Sequence, residues 1–421
     1  MMKILWFTNV PLPAVKEKAG IKNGGSGHWM TRLAEELNKF DGIQLAVVTS
    51  CAGVEDLSFT QDKIVYYLLG QPKRFSILRY RPVDIQKAAI CLQEFKPDVV
   101  HIHGTERYYG MLKMLGHIQV PEIISLQGIL GPYSTYTNWF GALSPIQILS
   151  STRVYELLLG SSLIWRYRNI RKAAIREREM CKYTDAFLGR TDWDSSWAHV
   201  LNPKAKYFHV GEILRKEFLE AQWDISKVKR HSLLFTNAGH PRRGTDVLLE
   251  AVKILKRDIP DIELRLAGHI SPRSGYGRFL HKLIKKSGLA DCVKLLGYLN
   301  ASEMTKELAA THVFAIASFI ENSPNSLAEA MMVGVPCVAS YVGGIPSMIE
   351  NRQTGLLFPA GDANWLAESI RSVFADDLLA SRLGAAARQV ARQRHRPDLV
   401  VSQLIEAYRQ VLLTDNMARG R

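Results

Sequence analysis

Two carboxylates eight positions apart, Glu321 and Glu329, bracket the run Asn322-Ser323-Pro324-Asn325-Ser326-Leu327-Ala328. An apolar stretch from His312 to Ala317 precedes them. Ser323 suits a helix N-cap and Pro324 the first helical position, so the spacing predicts a helix whose free N–H groups face the end of a strand. Such an end favours phosphate. Glu321 lies just ahead of it, and Glu329 lies about 9 Å along the helix at 1.5 Å per residue. Carboxylates flanking a phosphate site can accept hydroxyl hydrogen bonds from a sugar at one end and a ribose at the other. A second strand-to-helix connection, Asn237-Ala-Gly-His-Pro-Arg242-Arg243-Gly244, carries two guanidinium groups that can hold a pyrophosphate bidentately. The loop Asn23-Gly24-Gly25-Ser26-Gly27 would let backbone approach an anion closely, although its spacing is not the dinucleotide GxGxxG. His101 and His103 alternate on one strand and share a face. Metal binding there would need further ligands, with Glu106 the near acid. Substrate contact by His103 and simple packing are the other readings.

The elements that must hold these residues alternate strand and helix. In the first half we read strands at 4–8, 45–49, 99–103 and 122–126, with helices at 28–38, 83–95 and 109–115. In the second half strands fall at 233–237, 262–267, 293–296, 312–318 and 336–340. Helices between them fall at 246–258, 278–287, 301–310, 327–334 and 346–350. This is the pattern of parallel sheets covered by helices, with ligands at the carboxyl ends of strands. The expected organisation is an α/β fold of two Rossmann-like domains, 1–210 and 231–396, facing a cleft. Residues 211–230 read as a linker, and 397–421 as a helix and tail free to pack anywhere on the surface.

Tyr133 to Arg178 breaks the alternation. It is rich in aromatics, and Ile164–Arg178 holds six basic residues and one acid. Trp165–Arg178 therefore reads either as a surface for anionic lipid or as a long helix with a solvated basic face.

The 421 residues are 47% hydrophobic, which excludes disordered and collagen-like classes. The net charge of +14 is spread as +8 over residues 1–210 and +6 over the rest, a poor footprint for one nucleic-acid patch. Five scattered cysteines without a CxxC pair suit free thiols in a reducing compartment. The short apolar start reads as a strand rather than a signal segment, and no run of about 20 apolar residues spans a bilayer. The expectation is a cytoplasmic protein, peripheral on the inner face of the membrane through its basic segment, and not a nucleic-acid binder.

The Glu321–Glu329 element, the strand before it and Val342-Gly343-Gly344-Ile345-Pro346 resemble the retaining glycosyltransferase family 4 of the GT-B fold. Asp98-Val-Val-His-Ile-His-Gly104 and the Gly24-Gly25 loop are similar to that family's N-terminal domain. The resemblance implies transfer of a sugar from a UDP- or GDP-linked donor to an acceptor hydroxyl, with retained configuration and neither metal nor cofactor. It implies that Glu321 binds donor-sugar hydroxyls and Glu329 the ribose, and that the backbone around Pro324, Asn325, Ser326 and Leu327 meets sugar or phosphate. Arg243, with Arg242 beside it, stands where the family has a phosphate-binding lysine. Gly25 lies near the pyrophosphate and Tyr298 near the base. In the front-face mechanism proposed for the family the leaving phosphate takes the acceptor proton, so Glu321 and Arg243 are the catalytic candidates and no protein base is needed. His103 and Gln127 are the acceptor-side candidates, and the aromatic–basic segment suits a lipid-linked or cell-surface polysaccharide precursor. Two departures stand out. Gln127 replaces a frequent family histidine, and Ala238 replaces an arginine. They leave open a sugar-nucleotide-binding subunit without catalysis; another GT-B enzyme, such as a glucan synthase, is the other alternative.

Overall fold

The computed structural model describes residues 1–21, 27–73 and 75–418; the Gly25 loop lies outside the described residues. The chain forms two compact units. The first comprises Met1–Gly131, Ile170–Ile213 and His395–Arg421, and the second Pro132–Asn169 and Leu214–Arg394. These boundaries differ from the expected ones in three places. The aromatic segment belongs with the second unit up to Asn169, the final helix belongs with the first, and the expected linker is divided, with 211–213 in the first and 214–230 in the second.

The first unit is built on β1 (Met2–Thr8), β2 (Ile43–Ala52), β3 (Leu57–Gln61), β4 (Ile64–Gln71), β5 (Val99–His103), β6 (Glu122–Ser125), β7 (Ala186–Gly189) and β8 (Lys206–His209). They form one sheet in the order β3-β4-β2-β1-β5-β6-β7-β8. All neighbours are parallel except β3 and β4, which form an antiparallel hairpin at one edge. β1 shows why the sheet needs cover on both faces. Successive side chains point to opposite faces of a strand, and Ile4 and Trp6 enter one core cluster while Leu5 and Phe7 enter the other.

The final helix, Pro397–Ala418, is part of that core rather than a surface appendage. Val400, Leu404, Tyr408 and Val411 recur at helical spacing and pack with Ile4, Trp6, Leu45 and Val47. The Trp6 indole N–H donates to the Tyr408 hydroxyl at 2.9 Å, and His101 Nδ1 lies 2.7 Å from the same oxygen. Tyr408→Ala is expected to cost about 3–5 kcal/mol by cavity formation and loss of these partners. A lowered denaturant midpoint at unchanged slope would register it, whereas a midpoint within error of wild type would contradict this packing.

The second unit carries β9 (Lys229–Thr236), β10 (Glu263–Ala267), β11 (Val293–Gly297), β12 (Thr311–Ile316), β13 (Cys337–Ser340) and β14 (Leu356–Phe358). The order is β11-β10-β9-β12-β13-β14, parallel throughout. Two Rossmann-like domains on parallel sheets are therefore present as expected. From Leu214 onward the supposed linker is folded onto the second unit. Phe218 and Trp223 are buried, and Trp223 donates from its backbone to the Val333 carbonyl at 2.9 Å and from its indole to the Thr311 carbonyl at 2.7 Å.

Residues 130–181 contain five helices and no strand, in keeping with the break in alternation there. The last of these, Leu163–Cys181, is not uniformly basic on its surface. Arg176 turns inward and donates to the carbonyls of Leu78 and Glu106, and Glu177 is fully buried. Glu177 accepts from the backbone N–H groups of Leu130 and Gly131 at 2.9 Å each, and also from the Thr105 hydroxyl. Burial pushes its carboxyl up to about 7 despite those donors.

Candidate active site

Because the second sheet is parallel, the loops after β9, β10, β11 and β12 all leave from the same edge. The loop after β9 ends in the short 3-10 helix Pro241–Arg243, followed by Gly244 at φ 68°. That left-handed conformation suits glycine, and a Cβ there would overlap the Ala317 carbonyl. The Phe319 N–H also donates to the Arg242 carbonyl at 2.8 Å. The two connections are thus clasped backbone to backbone, and the clasp brings Arg243 to Glu321. Their side chains form an ion pair, with the carboxylate almost wholly buried. The Ser318 hydroxyl donates to the same Oε1 at 2.7 Å. Burial, and then the neighbouring Arg242, push Arg243 down to about 9, which leaves it cationic at neutral pH.

The aromatic segment buttresses this loop within the same unit. The Arg242 guanidinium lies 5.2 Å from the centre of the Tyr133 ring. Trp139 meets His240 edge-on at 4.6 Å. His240 is held well below its usual pKa, first by burial and then by Arg242, so it is neutral. Tyr133 and Trp139 shape the basic loop, a role no local spacing in the sequence indicates.

The helix after Glu321 is Asn325–Val333, with Pro324 at the N-cap and no side chain capping it. This corrects the expected start. The Ser323 hydroxyl points to the Met348 sulfur at 3.8 Å instead of capping. Glu329 therefore lies about 6 Å rather than 9 Å along the helix. Leu327 is a core side chain whose N–H already donates to the Pro324 carbonyl at 3.0 Å. Asn325 and Ser326 are half-buried. Glu329 is buried and accepts from Arg215 Nε at 3.0 Å and Nη2 at 2.7 Å. Arg215 itself lies over the Phe218 ring at 4.6 Å. Sequence reading missed Arg215, since it falls in the weakly periodic stretch taken for a linker. Arg215→Ala removes two charge-assisted hydrogen bonds from a buried carboxylate and is expected to lower stability by about 1–3 kcal/mol. An unchanged melting temperature would contradict that pairing.

Tyr298 is 83% exposed and stacks on His269 at 5.9 Å with 8° between the planes. The pair sits just past the ends of β11 and β10, with Tyr298 open to solvent for a planar ligand.

In the first unit His103, the last residue of β5, and Gln127, just beyond β6, share the wall of one small pocket. Trp29 and the ion-paired Arg190 and Glu212 complete that wall. His103 is buried, and its Nε2 has no hydrogen-bond partner among the described residues. Its ring packs on His101 at 4.0 Å and on Trp6 at 4.5 Å. His101 is held between Tyr408 and Ser125 Oγ, 2.7 Å from each. Desolvation pushes His101 well below its usual pKa and His103 down to about 3. Both are neutral in the fold and would bind protons near pH 6.5 when unfolded. Stability is therefore expected to fall as pH drops below about 6.5, and less steeply in His103→Gln. Chemical denaturation at pH 7 and pH 5 measures the difference, and equal pH slopes would contradict it.

The comparisons with known proteins agree with this architecture. Residues 218–390 match the family model described as glycosyl transferases group 1. The chain is 29% identical over 197 residues to N-acetyl-alpha-D-glucosaminyl L-malate synthase of Bacillus anthracis, an overlap of 47% of this chain and 50% of that one. It is 22% identical over 312 residues to the GDP-mannose-dependent alpha-(1-6)-phosphatidylinositol monomannoside mannosyltransferase of Mycobacterium tuberculosis, covering 68% of this chain and 79% of that one. The chain thus spans about half the length of the first of these relatives. Among solved structures it resembles sucrose-phosphate synthase from Thermosynechococcus elongatus, with a TM-score of 0.73, 16% identity and coverage of 98% and 100%. It also resembles Anabaena HepE in complex with UDP-glucose, with a TM-score of 0.69, 16% identity and coverage of 97% and 100%. The fold is GT-B.

Proposed function

We propose that the chain is a retaining glycosyltransferase of family 4 that moves a sugar from a UDP- or GDP-linked donor to an acceptor hydroxyl. The ion pair of buried Glu321 with half-buried Arg243 at the carboxyl edge of a parallel sheet carries this reading, since it lies within the residues matching a glycosyltransferase family model. Without donor the two charges neutralise each other. When donor binds, Arg243 and Arg242 turn to the diphosphate, and Glu321 accepts hydrogen bonds from the sugar hydroxyls. Glu329, ordered by Arg215, takes the ribose hydroxyls. The N–H groups of Asn325 and Ser326 reach the sugar or phosphate, Pro324 sets the turn that presents them, and Tyr298 covers the base. Leu327 serves by anchoring the helix. His103 and Gln127, on the first unit, hold the acceptor.

The reaction breaks the bond from the anomeric carbon to the diphosphate oxygen and forms one to the acceptor oxygen on the same face. The acceptor proton passes to the departing phosphate oxygen. Positive charge beside the diphosphate stabilises that departure most in the transition state, where its negative charge is largest. No cofactor or metal takes part. The acceptor is a lipid-linked or cell-surface polysaccharide precursor, a reading supported by the phosphatidylinositol-linked acceptor in the name of the mycobacterial relative and by the surface described below.

Incubation with UDP- and GDP-sugars, followed by assay of diphosphate release, tests the donor. Magnetic resonance of the glycoside formed tests the configuration. Release with one donor class and a product of the donor's own anomeric form are expected. An inverted product would overturn the retaining assignment, and donor binding without turnover on any acceptor would favour a non-catalytic subunit.

A further inference from the structure

Of the 28 large hydrophobic side chains exposed among the described residues, eight fall between 146 and 165, so the exposure is concentrated in one short stretch. Ile146 and Leu149 stand on the helix Pro145–Ser150, and Val154, Tyr155, Leu157 and Leu158 on the helix Val154–Leu158. Leu159 follows, and the Trp165 indole lies against Gly160. Ile146 is 81% exposed, Leu149 69%, Val154 75% and Leu158 82%. Helices this short do not survive in water on their own, so this knuckle is held by capping and by the rest of its unit. Ser144 and Gln147 form a capping box for the first helix. Glu156 fixes the second by accepting from the Gly275 N–H at 2.9 Å and the Arg153 N–H at 3.0 Å. Arg278 donates to the Ser150 carbonyl at 3.4 Å, and Arg153 to the Pro272 carbonyl at 3.1 Å.

The fold thus builds an apolar ridge and leaves it uncovered. Charge decides what covers it. Glu156 is the one acid from residue 132 to 169, and it is buried. Arg153, Arg273 and Arg278 lie beside the two helices, and exposed Arg166 and Arg168 follow Trp165. An apolar ridge with arginine flanks, and no exposed carboxylate between residues 132 and 169, matches a bilayer carrying anionic head groups. No helix among the described residues is long and apolar enough to cross a membrane, so such contact would be at the surface.

We infer that residues 145–168 dock the protein on anionic membrane. Ile146, Leu149, Val154 and Leu157–Leu159 insert among the acyl chains, and the arginines meet the phosphates. This shifts the insertion element from the basic helix beyond Trp165 to the leucine-rich knuckle before it. The inference stands apart from the sugar-transfer reading, because lipid binding needs no nucleotide.

The test is flotation of the full chain with vesicles of phosphatidylcholine alone and of phosphatidylcholine mixed with phosphatidylglycerol. Wild type is expected to float with the anionic vesicles and at least about tenfold less with the neutral ones. The double variant Leu149→Glu, Leu158→Glu should lose flotation while keeping the wild-type melting temperature, since both side chains are exposed. Arg166→Ala with Arg168→Ala should lower it by about tenfold or more. Wild type that stays unbound in both mixtures, or a glutamate variant that floats as wild type does, overturns the inference. So does a concentration-dependent dimer in sedimentation that the glutamate variant abolishes, which would assign the ridge to a second copy of the chain.

Discussion

Glu321→Ala is expected to lower sugar transfer by roughly 10²–10³-fold while leaving a folded protein. The side chain accepts from Ser318 Oγ and pairs with Arg243, so it sits in one fixed orientation before any donor arrives. In its proposed role it supplies charge-assisted acceptors for the sugar hydroxyls, each worth about 1.5–3 kcal/mol, and the substitution deletes them. It also leaves Arg243 buried beside Arg242 with one counter-charge fewer. The loss should appear in kcat more than in donor KM if those contacts strengthen in the transition state. Glu321→Gln keeps the shape and one acceptor oxygen, so it should fall between alanine and wild type. Turnover of the alanine variant at the wild-type rate would remove Glu321 from the site.

Gly343→Ala is expected to be nearly as damaging, although residue 343 contributes no side chain to the chemistry. Gly343 has φ 49°, and a Cβ there would overlap the Glu321 carbonyl oxygen. The next N–H, of Gly344, donates to that same carbonyl at 3.1 Å. The glycine pair therefore holds the backbone that aims Glu321. An alanine must push the two segments apart and adopts the left-handed region at a cost of about 1 kcal/mol or more. Transfer should drop by at least about tenfold, because small misplacement of a positioned group is costly. Gly288→Ala is the control. Its φ is 67°, and a Cβ there meets nothing within 4 Å. It should lose a little stability and retain activity. Equal activity of both variants would show that the close approach at Gly343 does not matter.

Much of this was legible in the sequence because it is local. β1, β5, β9 and β12 are short apolar runs between turn residues, and the Ser-Pro-Asn-Ser stretch announces a helix start to within two residues. What the sequence did not disclose depends on distant partners. The helix Pro397–Ala418 has an ordinary apolar stripe, and nothing in it says that its Tyr408 meets Trp6 and His101. Arg215 looks like any polar residue of a connection until the fold sets it against Glu329. The hairpin of β3 and β4 and the strands β7, β8 and β14 were missed; β3, β7, β8 and β14 have only three to five residues, which carry little periodic signal. Tyr133 and Trp139 stand out in the sequence only as aromatics of a segment that breaks the alternation, yet they pack on the Arg242 loop.

The proposed function rests on the clasped loops after β9 and β12 holding a nucleoside diphosphate through Arg243. Calorimetric titration of the full chain with UDP and with GDP, repeated on Arg243→Ala, tests it most directly. Binding of one of the two by wild type and a weakening of at least about tenfold in the variant are expected. Equal affinity in wild type and Arg243→Ala, or no binding of either nucleotide, would contradict it.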